Sequence, residues 1–140
     1  MYLCIVLTAA FFTVLLAGSL LDCLVAIVNG SFIVLCMFLS KRLKIHGFIT
    51  NMVSSFLIAV NTMFVMNMLG WDLNQEVVIT GSIMPMLPGV AITNAIRDTL
   101  QGDYMSGGAK VLEAVVLAAS ISVGIGAGLA FMSYVLGGGL

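Results

Sequence analysis

A hydrophobic segment in the second half of the chain, from Val77 to about Leu100, contains the run Met-Pro-Met-Leu-Pro-Gly at residues 84–89. Two prolines and a glycine cannot lie inside an uninterrupted helix, because each proline lacks a backbone N–H and clashes with the carbonyl one turn back. In lipid, a broken backbone is tolerated only where protein or water satisfies its polar groups. Helices broken inside the bilayer are typical of transporter binding sites. We therefore predict a helix broken at Pro85–Gly89, with a functional site beside the break.

The composition is that of an integral membrane protein. Of the 140 residues, 61% are hydrophobic and 8% are charged, and the mean hydropathy is +1.21. A soluble domain is about 45–50% apolar and about 25% charged. The net charge of −1 gives no indication of a nucleic-acid partner. We expect a single transmembrane domain over residues 1–140, surrounded by the lipid bilayer, with no separate soluble domain.

The apolar runs predict an all-α, polytopic transmembrane helical bundle with about five spans, since a spanning helix needs about 20 mostly apolar residues. The first run is interpreted as a membrane helix and not a signal peptide, because it lacks a basic start and a small-residue cleavage site. The last would be roughly 42 Å long, more than the roughly 30 Å hydrocarbon core, so it should tilt or project at its polar end. The predicted spans are Tyr2–Gly18, about Leu20–Leu39, about Gly47–Leu69, the broken segment at about Glu76–Leu100, and about Ala109–Leu136.

Basic residues set the predicted orientation. Three of the five lie at positions 41–44, between the second and third spans, and the positive-inside rule makes that loop cytoplasmic. Arg97 and Lys110 flank the loop between the fourth and fifth spans, which five spans place on the same side. The sequence thus predicts a multi-pass protein of the cytoplasmic membrane with a cytoplasmic N-terminus. Trp71 should then lie at the outer interface, where indole rings are favoured.

The broken span suggests a way to bind an anion. A second half-helix that starts at Pro88 or Gly89 has unpartnered N–H groups and about half a positive charge at its first turn. Such an end attracts a carboxylate. Gly81, Ser82 and Gly89 remove bulk, so that a ligand could approach the backbone. We predict that Pro85, Pro88 and Gly89 contribute to a substrate site; the alternative is a proline-kinked helix that only packs.

Polar residues continue along the second half-helix. Asn94 and Asp98 are four apart and share one helical face, with Thr93 and Arg97 on the next. Charges in a membrane are costly and tend to face a pathway or a partner. We predict that Thr93 and Asn94 bind substrate, and that Arg97 and Asp98 gate the path or carry a proton. The alternative is an ion pair at the membrane interface.

Three further charged residues have two interpretations each. Lys110 and Glu113 lie one turn apart at the start of the fifth span. They are expected to pair with each other, and they are also the alternative partners of the charged residues at 97–98. Glu113 and Asp22 are included among the gating or proton-carrying candidates. For Asp22, which follows Ser19 by three residues, we favour a helix cap over a proton or substrate site.

The third span carries a polar row. Asn51, Ser54, Ser55 and Thr62 are helical neighbours at spacings of three, four and seven. They could form the wall of a cavity or bond to other helices, and we include Ser55 and Thr62 among the substrate-binding candidates. Asn29 in the second span is a weaker candidate of the same kind.

Small residues recur every four positions on the fifth span, in one row at 120, 124 and 128 and a second at 122, 126 and 130. Such rows let helices approach closely, and we expect packing from them in preference to a backbone-lined passage. The sequence has no spacing typical of metal ligands, a Ser–His–Asp arrangement or a phosphate loop. We therefore predict no metal, no cofactor and no enzymatic activity.

The run from Gly81 to Asp98, with its pattern Pro-x-x-Pro-Gly…Asn-x-x-x-Asp, resembles the membrane region of the threonine/serine exporter family. Segments 16–22 and 102–107 and the pair Glu113-Ala114 are similar to that family's pattern as well, so the resemblance covers essentially the whole chain. The residues that match the family's characteristic positions are Pro85, Pro88, Gly89, Asn94, Arg97, Asp98, Asp103 and Glu113.

The resemblance implies a bacterial inner-membrane exporter of small amino or carboxylic acids, driven by the proton gradient. Members of that family have two membrane halves, fused in one chain or split over two subunits, and a polar segment ahead of the first helix. This sequence shows one half and no such segment. We therefore expect a second membrane subunit, a homo-oligomer, or both. The alternative function is that of a non-transporting scaffold or regulatory subunit.

Overall fold

The structure, a computed structural model, describes residues 2–70 and 74–137, and throughout these two ranges the regular structure is helical. The predicted all-helical fold is confirmed. The prediction for Trp71 falls outside the described residues. In chain order the elements are α1 (Tyr2–Leu15), α2 (Leu20–Leu43), α3 (Gly47–Leu69), α4 (Gln75–Ile83), a 3₁₀ turn (Met84–Met86), α5 (Gly89–Leu100) and α6 (Tyr104–Val135).

The number of predicted spans is approximately right. Helices α2, α3 and α6 are each long and apolar enough to cross a membrane. Helices α4 and α5 meet that criterion together, as a pair bent by 54° at the predicted break. Helix α1, with 14 residues, is roughly 21 Å long and is the shortest of the predicted spans. The fold therefore has three full-length spans, one broken pair and one short apolar helix.

Capping groups explain where α2 begins and ends. The Ser19 backbone N–H donates to Asp22 Oδ2 at 2.7 Å, and the Asp22 N–H donates to Ser19 Oγ at 3.3 Å, which confirms the predicted cap. Asp22 Oδ1 also accepts from the Asn74 N–H at 3.2 Å, so one buried carboxylate joins the starts of α2 and α4. Helix α2 continues four residues beyond the predicted Leu39, to Leu43. Lys44, whose backbone is left-handed (φ 52°), forms its C-cap.

A cap also moves the start of the last helix. Asp103 Oδ1 accepts from the Ser106 N–H at 3.1 Å, and α6 therefore begins at Tyr104 and not at the predicted Ala109. With 32 residues, α6 is roughly 48 Å long. The predicted excess over the hydrocarbon thickness is thus larger than the sequence indicated.

Close helix contacts are built on glycines. A Cβ at Gly30 would lie 3.0 Å from the Val6 Cα, and a Cβ at Gly81 would lie 2.9 Å from the Thr13 backbone nitrogen. Helix α1 therefore lies directly against both α2 and α4. Gly81 was expected to leave space for a ligand, and this is wrong, because α1 occupies that space.

The most extensive helix contact joins α3 and α6. A Cβ at Gly128 would lie 2.8 Å from both the Ala59 Cβ and the Phe56 carbonyl oxygen. Gly124, one turn earlier, is similarly close to Ser55. The first small-residue row is therefore a packing surface, as predicted. The second row is not covered in the same way, since a Cβ at Gly126 would meet nothing within 4 Å.

This difference allows a matched test of helix packing. Gly128→Leu should lower the free energy of unfolding by about 1–3 kcal/mol, because overpacked cores must move backbone or adopt unfavourable rotamers. Gly126→Leu, on the same helix, should change it little. Reversible unfolding of the purified protein in mixed micelles measures both. Equal destabilisation by the two variants would contradict this α3–α6 contact.

Candidate functional site

Asn29 is the centre of a buried polar cluster that joins three helices. Its Nδ2 donates to Thr62 Oγ1 on α3 and to Ser82 Oγ on α4, both at 3.1 Å. Its Oδ1 accepts from Asn61 Nδ2 at 2.8 Å. Asn29, Thr62 and Ser82 are fully buried. Since lipid offers no alternative hydrogen bonds, this cluster fixes how α2, α3 and α4 are placed relative to one another.

The cluster changes the interpretation of two predicted residues. Thr62 was expected either to bind substrate or to bond to another helix, and the second is observed, since its hydroxyl accepts from Asn29 while it donates to the Ile58 carbonyl at 2.8 Å. Ser82 was expected to leave room for a ligand and instead bonds to Asn29. Asn29 was the weaker candidate in the sequence, because the partners that make it central lie 33 and 53 residues away.

The break follows the cluster within one turn of α4. Pro85 lacks the N–H that the Gly81 carbonyl would receive in a regular helix, and the chain tightens into the 3₁₀ turn at Met84–Met86. The Leu87 N–H donates to the Met84 carbonyl at 3.3 Å, and the Gly89 N–H donates to the Leu87 carbonyl at 2.8 Å. Helix α5 starts directly after Pro88. The predicted break at Pro85–Gly89 is confirmed.

A small cavity lies beside the break, between the broken segment and helices α1, α2 and α3. Its volume is about 180 Å³, and Pro85 and Met86 form the wall contributed by the broken segment. Asn51 and Ser54 of α3 are its polar residues, and Ile5, Ile33 and Met37 complete it. Since Asn51 and Ser54 lie about 6 and 10 Å along a helix of about 34 Å, the cavity lies between the α2–α3 end of the bundle and its centre.

Asn51 is the side chain in this cavity with unused hydrogen-bonding capacity. It is half-buried, and its amide bonds to nothing among the residues that the structure describes. The Ser54 hydroxyl donates to the Thr50 carbonyl at 2.8 Å and retains its acceptor capacity. A free amide both donates and accepts, so this cavity can recognise a carboxylate, a hydroxyl or an ammonium group.

The prolines of the break lie on two different surfaces. Pro85 lines the small cavity, whereas Pro88 and Gly89 line a wholly apolar cleft of about 430 Å³ between α5 and α6. A Cβ at Gly89 would meet nothing within 4 Å, so the start of α5 is open, as a ligand-accessible helix end requires.

The other predicted substrate residues are dispersed. Thr93 is exposed, and its hydroxyl donates to the Gly89 carbonyl at 2.8 Å. Asn94 is half-buried on α5. The Ser55 hydroxyl donates to the Asn51 carbonyl at 2.7 Å, at the contact with α6. Within this chain, therefore, the α5 residues do not share one pocket with those of α3.

The predicted gating residues lie at the connection between α5 and α6. Asp98 Oδ2 forms an ion pair with Lys110 and accepts from Ser106 Oγ at 2.8 Å. The predicted Lys110–Glu113 pair is therefore wrong, and the interfacial ion pair considered for Asp98 is formed. The side chains of Lys110 and Asp98 are 36% and 18% exposed, respectively. Arg97 and Glu113 are exposed.

Comparison with known proteins identifies the family of this chain. The family model described as "Putative threonine/serine exporter" matches residues 1–132. The chain belongs to the threonine/serine exporter family. No curated protein and no solved structure matches it. Membership of an exporter family, together with the long apolar helices, identifies a membrane-embedded transport protein.

The family match includes every element around the break. It spans α1 to α5 and all but the last residues of α6, and it therefore contains the Asn29 cluster, the small cavity and the Asp98 ion pair. An exporter family is not an enzyme class. Among the described residues, no group of three or more His, Cys, Asp or Glu side chains is arranged to hold a metal ion.

The Asn29 cluster predicts a specific loss of stability. Asn29→Ala should lower the free energy of unfolding by about 1–3 kcal/mol, because it leaves buried partners on α3 and α4 unsatisfied. The matched control is Asn67→Ala, which removes an exposed asparagine whose amide donates to the Met63 carbonyl at 3.1 Å. Reversible unfolding in mixed micelles distinguishes them, and an equally small effect of both substitutions would refute a central role for Asn29.

Proposed function

We propose that this chain is a subunit of a secondary exporter that moves a small carboxylate-bearing metabolite out of the cell. The substrate class is threonine, serine or a dicarboxylate, and the export is coupled to protons. The observation that supports it best is the break at Pro85–Gly89 beside a cavity with an unpartnered amide, Asn51. The protein lies in the bacterial cytoplasmic membrane with its N-terminus in the cytoplasm.

The cavity suits part of such a substrate. At about 180 Å³ it is small, and pockets for drug-sized ligands are about 300–1,000 Å³. The Asn51 amide can bond to a carboxylate or an ammonium group, and Ser54 can accept one further hydrogen bond. Ile5 and Ile33 give the cavity apolar walls. No charged side chain among the described residues lines the cavity, so Asn51 and Ser54 bind the substrate there by hydrogen bonds. The open N-terminal end of α5 attracts a carboxylate on the separate cleft between α5 and α6.

A second subunit completes the path in this proposal. Helix α5 packs mainly on α6, and its polar residues Thr93, Asn94 and Arg97 are exposed or half-buried. Polar residues inside a membrane tend to face a pathway or a partner in preference to lipid. We infer that a second membrane subunit or a second copy covers this face of α5. Asp98, released from Lys110, would then gate the path or carry the proton.

The scaffold alternative is less well supported. Part of its support was the small-residue rows of the fifth span, as surfaces that could bind a partner. Helix α3 of the same chain covers Gly124 and Gly128, which leaves only the row at Gly126 open for such a contact. The exporter proposal accounts for the broken helix, and the scaffold alternative does not.

Efflux of labelled threonine, serine and succinate tests the site. Cells expressing the chain with its candidate second subunit should show saturable efflux of at least one of them. Asn51→Leu should reduce that efflux about tenfold, since a lost hydrogen bond to a charged group costs about 1.5–3 kcal/mol and about 1.4 kcal/mol is a factor of ten. Because the Asn51 amide bonds to no other described residue, this substitution should leave the fold intact.

Asn67→Leu is the matched control for this assay, because the same substitution falls on an exposed position of the same helix. It should leave efflux unchanged. An efflux rate in Asn51→Leu equal to that of the unaltered chain would exclude the cavity as the substrate site. Absence of efflux of all three solutes, with the complex intact in the membrane, would instead favour the scaffold function.

Exchanging the charged residues at positions 98 and 110 distinguishes a gating or proton-carrying role of Asp98 from a purely structural ion pair. Asp98→Asn should abolish efflux, because a gate or proton carrier needs the titratable carboxyl group at that place. Asp98→Lys combined with Lys110→Asp should restore the thermal stability lost in Asp98→Lys alone, yet leave efflux absent. If the exchange restores efflux together with stability, then the pair is structural and the proposed gating role fails.

A further inference from the structure

An apolar groove separates α2 from α3 at the end of the bundle formed by their connecting loop. Its volume is about 300 Å³. Leu35, Leu39 and Leu43 of α2 form one wall, Ile49 and Val53 of α3 form the other, and Ile45 of the loop closes the end. The groove is distinct from the cavity at the break, and the proposed export function does not use it.

The few polar groups of the groove are satisfied internally. Thr50 Oγ1 donates to Ser40 Oγ at 2.6 Å, and Ser40 Oγ donates to the Ile45 carbonyl at 3.2 Å. These bonds hold the loop against both helices and leave only hydrocarbon facing the groove. Its interior therefore matches an alkyl chain and offers no site for a polar solute.

Positive charge is concentrated at the mouth of the groove. Three of the five Lys and Arg residues of the chain lie at positions 41–44, and residues 35–57 contain no acidic residue. Lys44 is exposed and lies between two lining residues, Leu43 and Ile45. Arg42, also exposed, lies with its guanidinium carbon 5.6 Å from the centre of the Phe38 ring.

We propose that this groove is a binding site for one anionic phospholipid. One acyl chain fills the space between α2 and α3, and the phosphate lies against Arg42 and Lys44. A neutral phospholipid would match the apolar walls equally well, but not the charge at the mouth. Basic clusters at the cytoplasmic ends of membrane helices are attracted to anionic headgroups by about 1 kcal/mol for each basic residue, so the site discriminates by headgroup charge.

Native mass spectrometry of the purified chain in micelles with equimolar dioleoylphosphatidylglycerol and dioleoylphosphatidylcholine tests this. We expect the retained lipid to favour phosphatidylglycerol by about thirtyfold, given two basic residues at the mouth. The double variant Arg42→Gln, Lys44→Gln should remove that preference. Arg97→Gln, which removes an exposed basic residue on α5, is the matched control and should preserve it.

A second measurement locates the acyl chain. In a Trp71→Phe background, Leu39→Trp places a fluorophore on the groove wall. Phosphatidylglycerol with brominated acyl chains should quench it more strongly than brominated phosphatidylcholine at the same mole fraction. The difference should disappear with Arg42→Gln, Lys44→Gln. Since Arg42 lies in the exposed last turn of α2 and Lys44 is the exposed C-cap of that helix, the variant keeps its fold.

Three outcomes would overturn the proposal. Equal retention of the two lipids by the unaltered chain would show that the groove holds bulk lipid without selection. A preference that survives Arg42→Gln, Lys44→Gln but is lost in Arg97→Gln would place the anionic site on α5. A complex with the second subunit that excludes brominated lipid from position 39 would show that a protein helix, and not a lipid, occupies the groove.

Discussion

The amide of Asn29 determines how the first four helices are assembled. In water an asparagine could bond to solvent in any arrangement, but inside a bilayer it must find protein partners. Its three hydrogen bonds reach α3 twice and α4 once, so they form only when α2, α3 and α4 are together. The glycines at 30 and 81 then allow α1 to lie against α2 and α4. Each of these contacts depends on the others.

The same constraint places the break in the helix next to a fixed framework. Ser82 is bonded to Asn29, and Pro85 follows it by three residues. The 3₁₀ turn is therefore held at its start, and the chain after it leaves at 54° to pack on α6. The side chain of Asn51, whose amide bonds to no other described residue, lies beside this junction in the cavity that Pro85 lines. A helix break on a fixed framework, with such an amide beside it, is suited to binding a solute in a membrane.

Much of this fold follows from local sequence. The positions of the helices, the break at Pro85–Gly89, the Ser19–Asp22 cap and the glycine row on α6 each depend on residues within a few positions of one another. Their physical causes act over one or two turns. The exact ends of α2 and α6 were missed by four or five residues, because the Lys44 cap was not recognised and residues 104–108 were assigned to the connection before the last span.

The site was harder to predict, since it depends on contacts between distant segments. Pro85 lines a cavity, whereas the hydroxyls of Thr62 and Ser55, which sequence spacing grouped with it as substrate-binding candidates, have partners within the bundle. It paired Lys110 with its sequence neighbour Glu113, whereas the turn at 101–103 brings Asp98 closer. The roles of Asn94, Arg97 and Asp98 in transport stay predictions, because one chain places α5 beside α6 and leaves its polar face uncovered.

The length of α6 has a consequence for where charge can be carried. A helix of about 48 Å exceeds a hydrocarbon core of about 30 Å by roughly 18 Å, or about twelve residues. Its first twelve residues, from Tyr104 to Val115, contain both of its charged side chains, Lys110 and Glu113. The excess therefore lies at that end, in the headgroup layer and the water beyond it. The first turns of α6 therefore hold these two charged side chains outside the hydrocarbon core, without the free-energy cost of inserting charge into lipid.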